Sequence, residues 1–201
     1  MTTPSPSNPR STSCFEWLLE ANHILATAIS LDTLIPDLIR LSREATQAEA
    51  ASFQSYDPEN GRLTFYRVND EIKGENAAKA LKSTVRLTAD EGIAGWIVRH
   101  CKSLRIDDVQ QDPRFCRSAD DATGCRTQTL LGVPVTHAGA VLGVIEVLNA
   151  KARTGFSVQD EALLTSFADL AAVAIIRAQL MDQQLSLIHI SEPTRLKTRS
   201  R

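Results

Sequence analysis

The sequence predicts an α+β fold in which helices cover an antiparallel sheet. In residues 129–150, TLLGVPVTHAGAVLGVIEVLNA, two runs rich in Val, Leu and Ile flank a polar link at residues 136–139. Gly139 can adopt the positive φ of a tight reversal, so this segment is predicted to be a β-hairpin. Both arms are apolar at almost every position, which indicates that both faces are covered and that the hairpin lies in the middle of the sheet.

A second hairpin and two helices precede it. Residues 51–56 and 62–68 alternate like strands around the turn sequence DPENG. Helices are predicted over residues 15–29 and 31–46, with Ser30 placed to cap the second one. The second helix has an apolar stripe wide enough to cover a sheet, formed by Leu34, Ile35, Leu38, Leu41 and Ala45.

The middle of the chain alternates short elements with polar segments. Residues 73–82 are ambiguous, 83–87 and 104–106 predict short strands, and 93–101 predict a helix. Residues 110–126 form a polar loop longer than a connection requires, which favours a functional or mobile role.

A long helix is predicted after Phe156. Ser157 supplies a cap, and Asp160 and Glu161 place negative charge at the helix N-terminus. Its apolar stripe has near-heptad spacing, so part should pack on the sheet and the rest could meet another chain. The alternative is a helix that lies wholly on its own domain. The stripe comprises Leu163, Leu164, Phe167, Leu170, Ala171, Ala174, Ile175 and Ala178.

Composition argues against several classes of protein. The 201 residues suit one domain, and 43% hydrophobic and 23% charged residues are ordinary globular values. A net charge of −2 and a pI near 6.1 provide no basic field for nucleic acid or acidic lipid. No apolar run approaches the roughly 18 residues of a membrane span, and residues 1–13 lack the apolar core of a signal peptide. We therefore expect a cytoplasmic protein with a disordered N-terminus at 1–13, and no nucleic-acid or membrane partner.

The cysteines and histidines show no spacing typical of metal ligands. There is no CxxC pair, so no metal site is predicted, and a reducing compartment fits best. These residues are Cys14, Cys101, Cys116, Cys125, His23, His100, His137 and His189.

Five segments together resemble the GAF domain, a small-molecule-sensing and signalling module. Their order and spacing over about residues 20–182 are those of that family. The segments are LTADEGIAGWIVRHCKSLRIDDV (87–109), DPRF (112–115), TGCRTQTLLGVPV (123–135), VLGVIEVLNAK (141–151) and FSVQDEALLTSFADLAAVAI (156–175). The resemblance implies a six-stranded antiparallel sheet of order 3-2-1-6-5-4, with terminal helices on one face and a ligand cavity on the other.

The resemblance also implies a function for residues 14–184. They would form a non-catalytic sensory domain of a bacterial signal-transduction protein, in which a ligand shifts a conformational equilibrium. The C-terminal helix would relay that shift through a helical homodimer to an effector domain. The predicted dimer contacts are Leu163, Leu170, Ala171, Ala174 and Ala178, beside the helix at 15–29. The alternative is a dimerisation or scaffold module with a closed, dry core.

Six residues are candidates for ligand contact, and no cofactor is identified. Glu146 breaks the apolar pattern of a central strand, so it is either satisfied by a partner or faces a cavity. Residues 112–126 would form a lid over the cavity. The resemblance and the aromatic content select Phe53, Trp96, Phe115, Cys125, Thr127 and Glu146.

A motif associated with cyclic-nucleotide-binding members of the phosphodiesterase branch is present in part. Asn149, Phe156, Asp160 and Glu161 match it, whereas Ala150 stands in place of its lysine. This departure argues against cyclic-nucleotide binding. A structural role, tying a loop to a helix start, is the preferred interpretation of the motif.

Cysteine chemistry provides the enzymatic alternative. One branch of the family reduces free methionine sulfoxide, but its characteristic cysteine is absent from residues 92–95. Redox sensing would use Cys116 and Cys125, which share a loop. Cys116 also lies close to where bilin-binding relatives attach their chromophore, but Arg117 replaces the histidine that follows there.

The C-terminal tail does not resemble a natural protein. Residues 185–195, LSLIHISEPTR, resemble the translation of a transposon-end adapter used in sequencing libraries. We therefore predict that residues 185–201 are non-native, and that the natural reading frame continues past Gln184 into an output domain.

Overall fold

The computed structural model describes residues 14–27, 30–70, 87–124, 126–151 and 154–190, and for residues 66–70, 123 and 182–190 it describes the backbone alone. The predictions for residues 1–13, 73–82 and 191–201 lie outside the described residues, as does most of the strand predicted at 83–87. The described elements are α1 (Cys14–Thr27), α2 (Leu31–Ala45), β1 (Ala48–Asp57), β2 (Arg62–Asp70), β3 (Leu87–Thr88), α3 (Gly92–His100), β4 (Leu104–Ile106), a 3-10 turn (Val109–Gln111), α4 (Ser118–Thr123), β5 (Leu130–His137), β6 (Ala140–Ala150) and α5 (Val158–Ile190).

The strands form one six-stranded antiparallel sheet of order β3-β2-β1-β6-β5-β4. Both predicted hairpins are confirmed, and β6 lies between β1 and β5 at the centre. Ala138 and Gly139 form the turn between β5 and β6 with φ of 49° and 83°. Two successive positive φ values match the right-handed twist of the strands, which is why a glycine suits this position.

The sheet separates two hydrophobic clusters. The first lies between the sheet and α1, α2 and α5, and the second lies between the sheet and α3 with its neighbouring loops. Alternation along β6 shows the division: Ile145 and Val147 belong to the first cluster, whereas Val144 and Leu148 contact the second. The central strands are therefore apolar on both faces, as the sequence predicted.

Helix α2 buries the stripe that was predicted for it. Leu34, Ile35, Leu38 and Leu41 are buried. Ser30 occupies the N-cap position, but its side chain makes no capping bond, so that expectation was wrong in detail. The Ser30 carbonyl instead accepts hydrogen bonds from the backbone N–H groups of Thr33 and Leu34.

Helix α5 covers the sheet on the same side. By length and composition, Val158–Met181 is long and apolar enough to cross a membrane, although charged and polar residues interrupt its apolar run. Packing on the sheet accounts for much of this apolar character, because Leu164, Phe167 and Ala171 are completely buried.

The segment predicted as a long polar loop is more structured than expected. It contains the 3-10 turn Val109–Gln111 and helix α4. Helix α4 ends at Gly124, whose φ of 63° is left-handed, the usual way for glycine to stop a helix. Sequence periodicity could not reveal a helix of six residues, because it completes fewer than two turns.

Candidate functional site

A buried polar pair lies at the centre of the sheet. Glu146 on β6 pairs with Ser52 of β1 and Gly132 of β5, and it shares its face with Val144 and Leu148, beneath α3. Gln54 of β1 is on the same face, and its Nε2 donates a hydrogen bond of 2.6 Å to Glu146 Oε2. Gln54 is 1% exposed and Glu146 is 8% exposed.

The surroundings of Glu146 disfavour its charge. Burial raises the pKa of the Glu146 carboxyl to about 7, and the hydrogen bond from Gln54 opposes this rise only in part. Gln54 Oε1 is buried and has no hydrogen-bond partner among the described residues. The pair therefore provides two oxygen acceptors in largely apolar surroundings, to which the buried Ser52 opposite Glu146 adds a hydroxyl.

Gly132 allows α3 to approach this pair closely. A Cβ added to Gly132 would overlap Ile97 Cδ1 of α3 and would lie 3.5 Å from Glu146 Cγ. Because Ile97 is completely buried, the glycine is needed for helix α3 to pack against β5.

An aromatic stack lies on α3 at the edge of the second cluster. The rings of Trp96 and His100 are stacked with centroids 4.2 Å apart, and the Arg114 guanidinium lies 4.9 Å from the Trp96 ring centroid. Asp112 accepts two hydrogen bonds from the Arg114 side chain, of 2.9 and 2.6 Å. These bonds lower the pKa of Asp112 and raise that of Arg114, so both groups are charged, and the contact of Arg114 with Trp96 links this loop to α3.

Thr127 fastens the far end of this loop. Its backbone N–H and its hydroxyl donate to the two Asp120 carboxylate oxygens at 2.9 and 2.6 Å. Gln110 Nε2 donates to the Thr127 carbonyl at 2.8 Å. Thr127 is buried, and the role that these contacts show is to hold α4 in place.

Phe53 lies on the wrong side of the sheet for a ligand site at Glu146. It pairs with Ile145 and belongs to the first cluster, whereas Glu146 faces the second. Its predicted ligand contact stays a prediction, but that contact would lie on the opposite side of the sheet from Glu146, because adjacent residues of a strand point to opposite faces. Trp96 and Phe115 are half-buried against the second cluster, on the same side as Glu146.

The candidate cysteines are described only in part. Cys125 lies outside the described residues, so its predicted ligand contact stays a prediction. Cys116 is exposed, with its Sγ 3.2 Å from Ser118 Oγ. Within the part of the chain that the structure describes, no three His, Cys, Asp or Glu side chains are grouped as metal ligands.

Asn149 has a structural role. It has a φ of 57°, and its Oδ1 accepts the backbone N–H of Gln128 at 2.8 Å. Its Nδ2 donates to Glu49 Oε2 at 2.8 Å and to the Arg126 carbonyl at 3.1 Å. Asparagine tolerates this left-handed conformation better than most residues, so this position both turns the chain and ties the loop to β1.

The acidic residues of the same motif secure the start of α5. Ser157 N–H donates to Asp160 Oδ2 at 2.7 Å, and Asp160 N–H donates to Ser157 Oγ at 3.1 Å, a reciprocal cap. Glu161 accepts a 2.7 Å hydrogen bond from Arg105 Nε of β4, and another from Ser103 Oγ. These contacts tie β4 and the preceding loop to the first turn of α5.

Sequence reasoning missed several residues that organise the site. Gln54 is the most important of these, and its signal was a long polar side chain beside the aromatic Phe53 in a predicted strand. Arg114, although it lies in the DPRF segment, and Asp120 gave no indication of their partners, because those partners are fixed only by the folded loop.

Comparison with known proteins identifies the family to which this fold belongs. The model of the GAF domain family matches residues 28–176, and the chain belongs to that family. The chain is 28% identical over 167 residues to the "Probable 3′,5′-cyclic phosphodiesterase pde-5" of Caenorhabditis elegans. This match covers 81% of the chain and 23% of the length of that curated relative, so the domain is homologous to a part of a signalling protein.

Two solved structures show the same fold. One is the GAF domain of a phosphoenolpyruvate-protein phosphotransferase from Coxiella burnetii, with a TM-score of 0.74 and 18% identity over 88% of this chain and 99% of that one. The other is free methionine-R-sulfoxide reductase from Neisseria meningitidis, with a TM-score of 0.69 and 14% identity over 90% of this chain and 98% of that one. At these identities the structural likeness establishes the fold alone.

Proposed function

We propose that this chain is a non-catalytic, cytoplasmic GAF sensory domain of a bacterial signal-transduction protein. It binds a small molecule between the sheet and α3 and relays binding to a C-terminal effector. The buried Gln54–Glu146 pair carries this proposal, because two polar side chains with an unused acceptor are costly in an apolar core unless something pairs with them.

The layout of β6 supports a relay across the sheet. Glu146 faces α3, and its neighbours Ile145 and Val147 belong to the cluster that packs against α5. A ligand that displaces Glu146 therefore also moves side chains in contact with the long helix. Tightly packed interiors transmit such small shifts because they cannot be compressed.

A second copy of the chain is proposed to cover the outer face of α5. Three of the predicted interface residues, Leu163, Ala171 and Ala174, are buried within the chain, so they cannot form the contact. A different face is free for it. Ala162, Ser166, Asp169, Val173, Ile176 and Leu180 follow alternating spacings of four and three, and Val173, Ile176 and Leu180 are the members with the large apolar side chains of a coiled-coil seam.

Helix α1 adds exposed apolar side chains to the proposed dimer. Phe15 and Leu19 are 66% and 53% exposed and lie one helical turn apart. Large apolar side chains left in water cost about 25 cal/mol per Å², so a partner surface would stabilise them. We propose a parallel bundle in which α1 and α5 of two copies meet.

Purification of the full chain from cell extract tests the ligand proposal. We expect native mass spectrometry to detect a small molecule that is released on denaturation, and the released fraction to raise the Tm of the apo protein. Hydrogen exchange of α3 should slow when that fraction is added back, and exchange along α5 should change. A dry interior, with no adduct and no change in Tm, would instead support a scaffold.

A further inference from the structure

We propose that Gln54 and Glu146 recognise a planar cationic N–H donor, a group of the amidinium or guanidinium type, carried on an apolar body. This inference rests on the proposed ligand site and names the chemistry of its ligand. The sequence singled out the Glu146 carboxylate alone, and Gln54 adds a second acceptor to the proposed site.

The unused acceptor is the first observation. Gln54 Nε2 donates to Glu146 Oε2, so the amide is oriented with Oε1 free, and Oε1 finds no partner among the described residues. An amide oxygen buried without a donor loses its hydration and gains nothing in exchange. A ligand N–H group directed at Oε1 would remove that loss.

The Glu146 carboxylate is the reason for expecting a ligand with a positive charge. Gln54 is the one side chain in the described residues that donates a hydrogen bond to Glu146. An ionised carboxylate in an apolar cluster needs a counter-charge, and the salt bridges of the described residues do not involve Glu146. A cation bound there would pair with the carboxylate, and a second N–H on the same group would reach Gln54 Oε1.

The apolar side chains around the pair specify the rest of the ligand, and Ile97, whose Cδ1 packs over Gly132, must move aside to admit it. Val144, Leu148 and Ile97 are the apolar neighbours on this side of the sheet, and Trp96 and Phe115 flank the same cluster. A planar donor group presents its N–H bonds as a fixed fork, which suits two acceptors held on neighbouring strands better than a flexible ammonium does. An aromatic amidine satisfies both requirements.

Three probes of one size test the proposal by isothermal titration calorimetry on the full chain. They are benzamidine, with a cationic N–H fork; benzamide, with a neutral amide; and benzoate, with acceptors alone. We expect benzamidine to bind at one site, benzamide to bind more weakly, and benzoate not to bind. Benzamidine binding near pH 7 should release a proton, because the cation favours ionised Glu146, and this release is measured by varying the buffer.

Substitutions assign the contacts. Gln54→Leu is expected to weaken benzamidine binding by about 10- to 100-fold, the usual range for losing one hydrogen bond to a charged group. Gln54→Leu combined with Glu146→Leu should abolish binding, and circular dichroism and Tm establish that this double variant is folded. Gln159→Leu, the same change at an exposed position of α5, should bind as the unaltered protein does.

Several results would overturn the proposal. They are equal binding of benzoate and benzamidine, unchanged affinity in Gln54→Leu, or no binding of any probe. If the molecule co-purified from cell extract binds equally well to Gln54→Leu, the sensory function stands and the donor assignment falls. If neither probes nor co-purified molecules bind, both proposals fall together.

Discussion

Glu146 and Gln54 are joined by a 2.6 Å hydrogen bond between the two central strands β6 and β1, and both side chains are buried. Burial raises the pKa of Glu146 from 4.5 to about 7. Between these values the folded protein holds a proton that the unfolded chain has released, so the free energy of unfolding must fall as pH rises. The stability that the protonated Glu146 carboxyl contributes is fully present below pH 4.5 and is lost as pH rises through 7.

Comparison with Glu146→Gln isolates this pH dependence, because the amide does not titrate. The free energy of unfolding of the unaltered protein, relative to that of the variant, should fall by about 2–3 kcal/mol between pH 5 and pH 8. Urea unfolding at both pH values measures the difference. A constant difference across this range would show that Glu146 titrates normally.

Gly132→Ala should destabilise the protein. The added methyl would overlap Ile97 Cδ1, and overpacking a close-packed site costs about 1–3 kcal/mol. Ile97→Val removes the clashing atom, so the double variant should recover part of the loss. A double-mutant cycle in urea measures that coupling, and strictly additive effects would contradict the proposed contact.

Ser157→Ala should shorten or weaken the start of α5. The hydroxyl accepts the Asp160 N–H at 3.1 Å, and loss of such a cap costs about 0.5–2 kcal/mol. Thr165→Ala is the matched control, since Thr165 lies within the same helix, outside the proposed seam, and its hydroxyl donates to the Glu161 carbonyl. Thermal unfolding should show little change for this control, and equal losses in both variants would argue against the cap.

The proposed dimer predicts different effects for two faces of α5. Val173→Glu and Leu180→Glu place charges on the exposed seam, so each should convert a dimer to a folded monomer. Ala174→Glu changes a buried residue and should instead lower Tm, because it places a charge in the core. Light scattering measures the loss of the dimer, and circular dichroism with Tm measures the loss of folding. If the unaltered chain is monomeric at tens of micromolar, the dimer proposal is wrong.

The prediction that residues 185–201 are non-native can be tested by sequencing the source DNA again. Sequencing the source by a method without transposon adapters should replace everything after about Gln184 with a continuing reading frame. Helix α5 continues past that point to Ile190. Recovery of LSLIHISEPTR by an adapter-free method would show that the tail is genuine.

Much of the fold could be predicted because local and tertiary preferences agree. The β5–β6 hairpin has glycine where a positive φ is needed and apolar residues on both faces, and the structure confirms it. Strand β4 was predicted at its observed bounds, Leu104–Ile106. Helix α4 was missed because neighbouring protein groups, such as Thr127 against Asp120, support it more than any pattern of its own.

The sequence by itself determined the α+β class, the two hairpins, the apolar stripes of α2 and α5, and the singular position of Glu146. These follow from periodicity and turn chemistry, which act over a few residues. Tertiary structure alone decided that Phe53 and Glu146 face opposite sides, that Gln54 partners Glu146, and that Ala171 and Ala174 are buried. Those outcomes depend on strand register and on which helix face meets the sheet, and both are set by residues far apart in the chain.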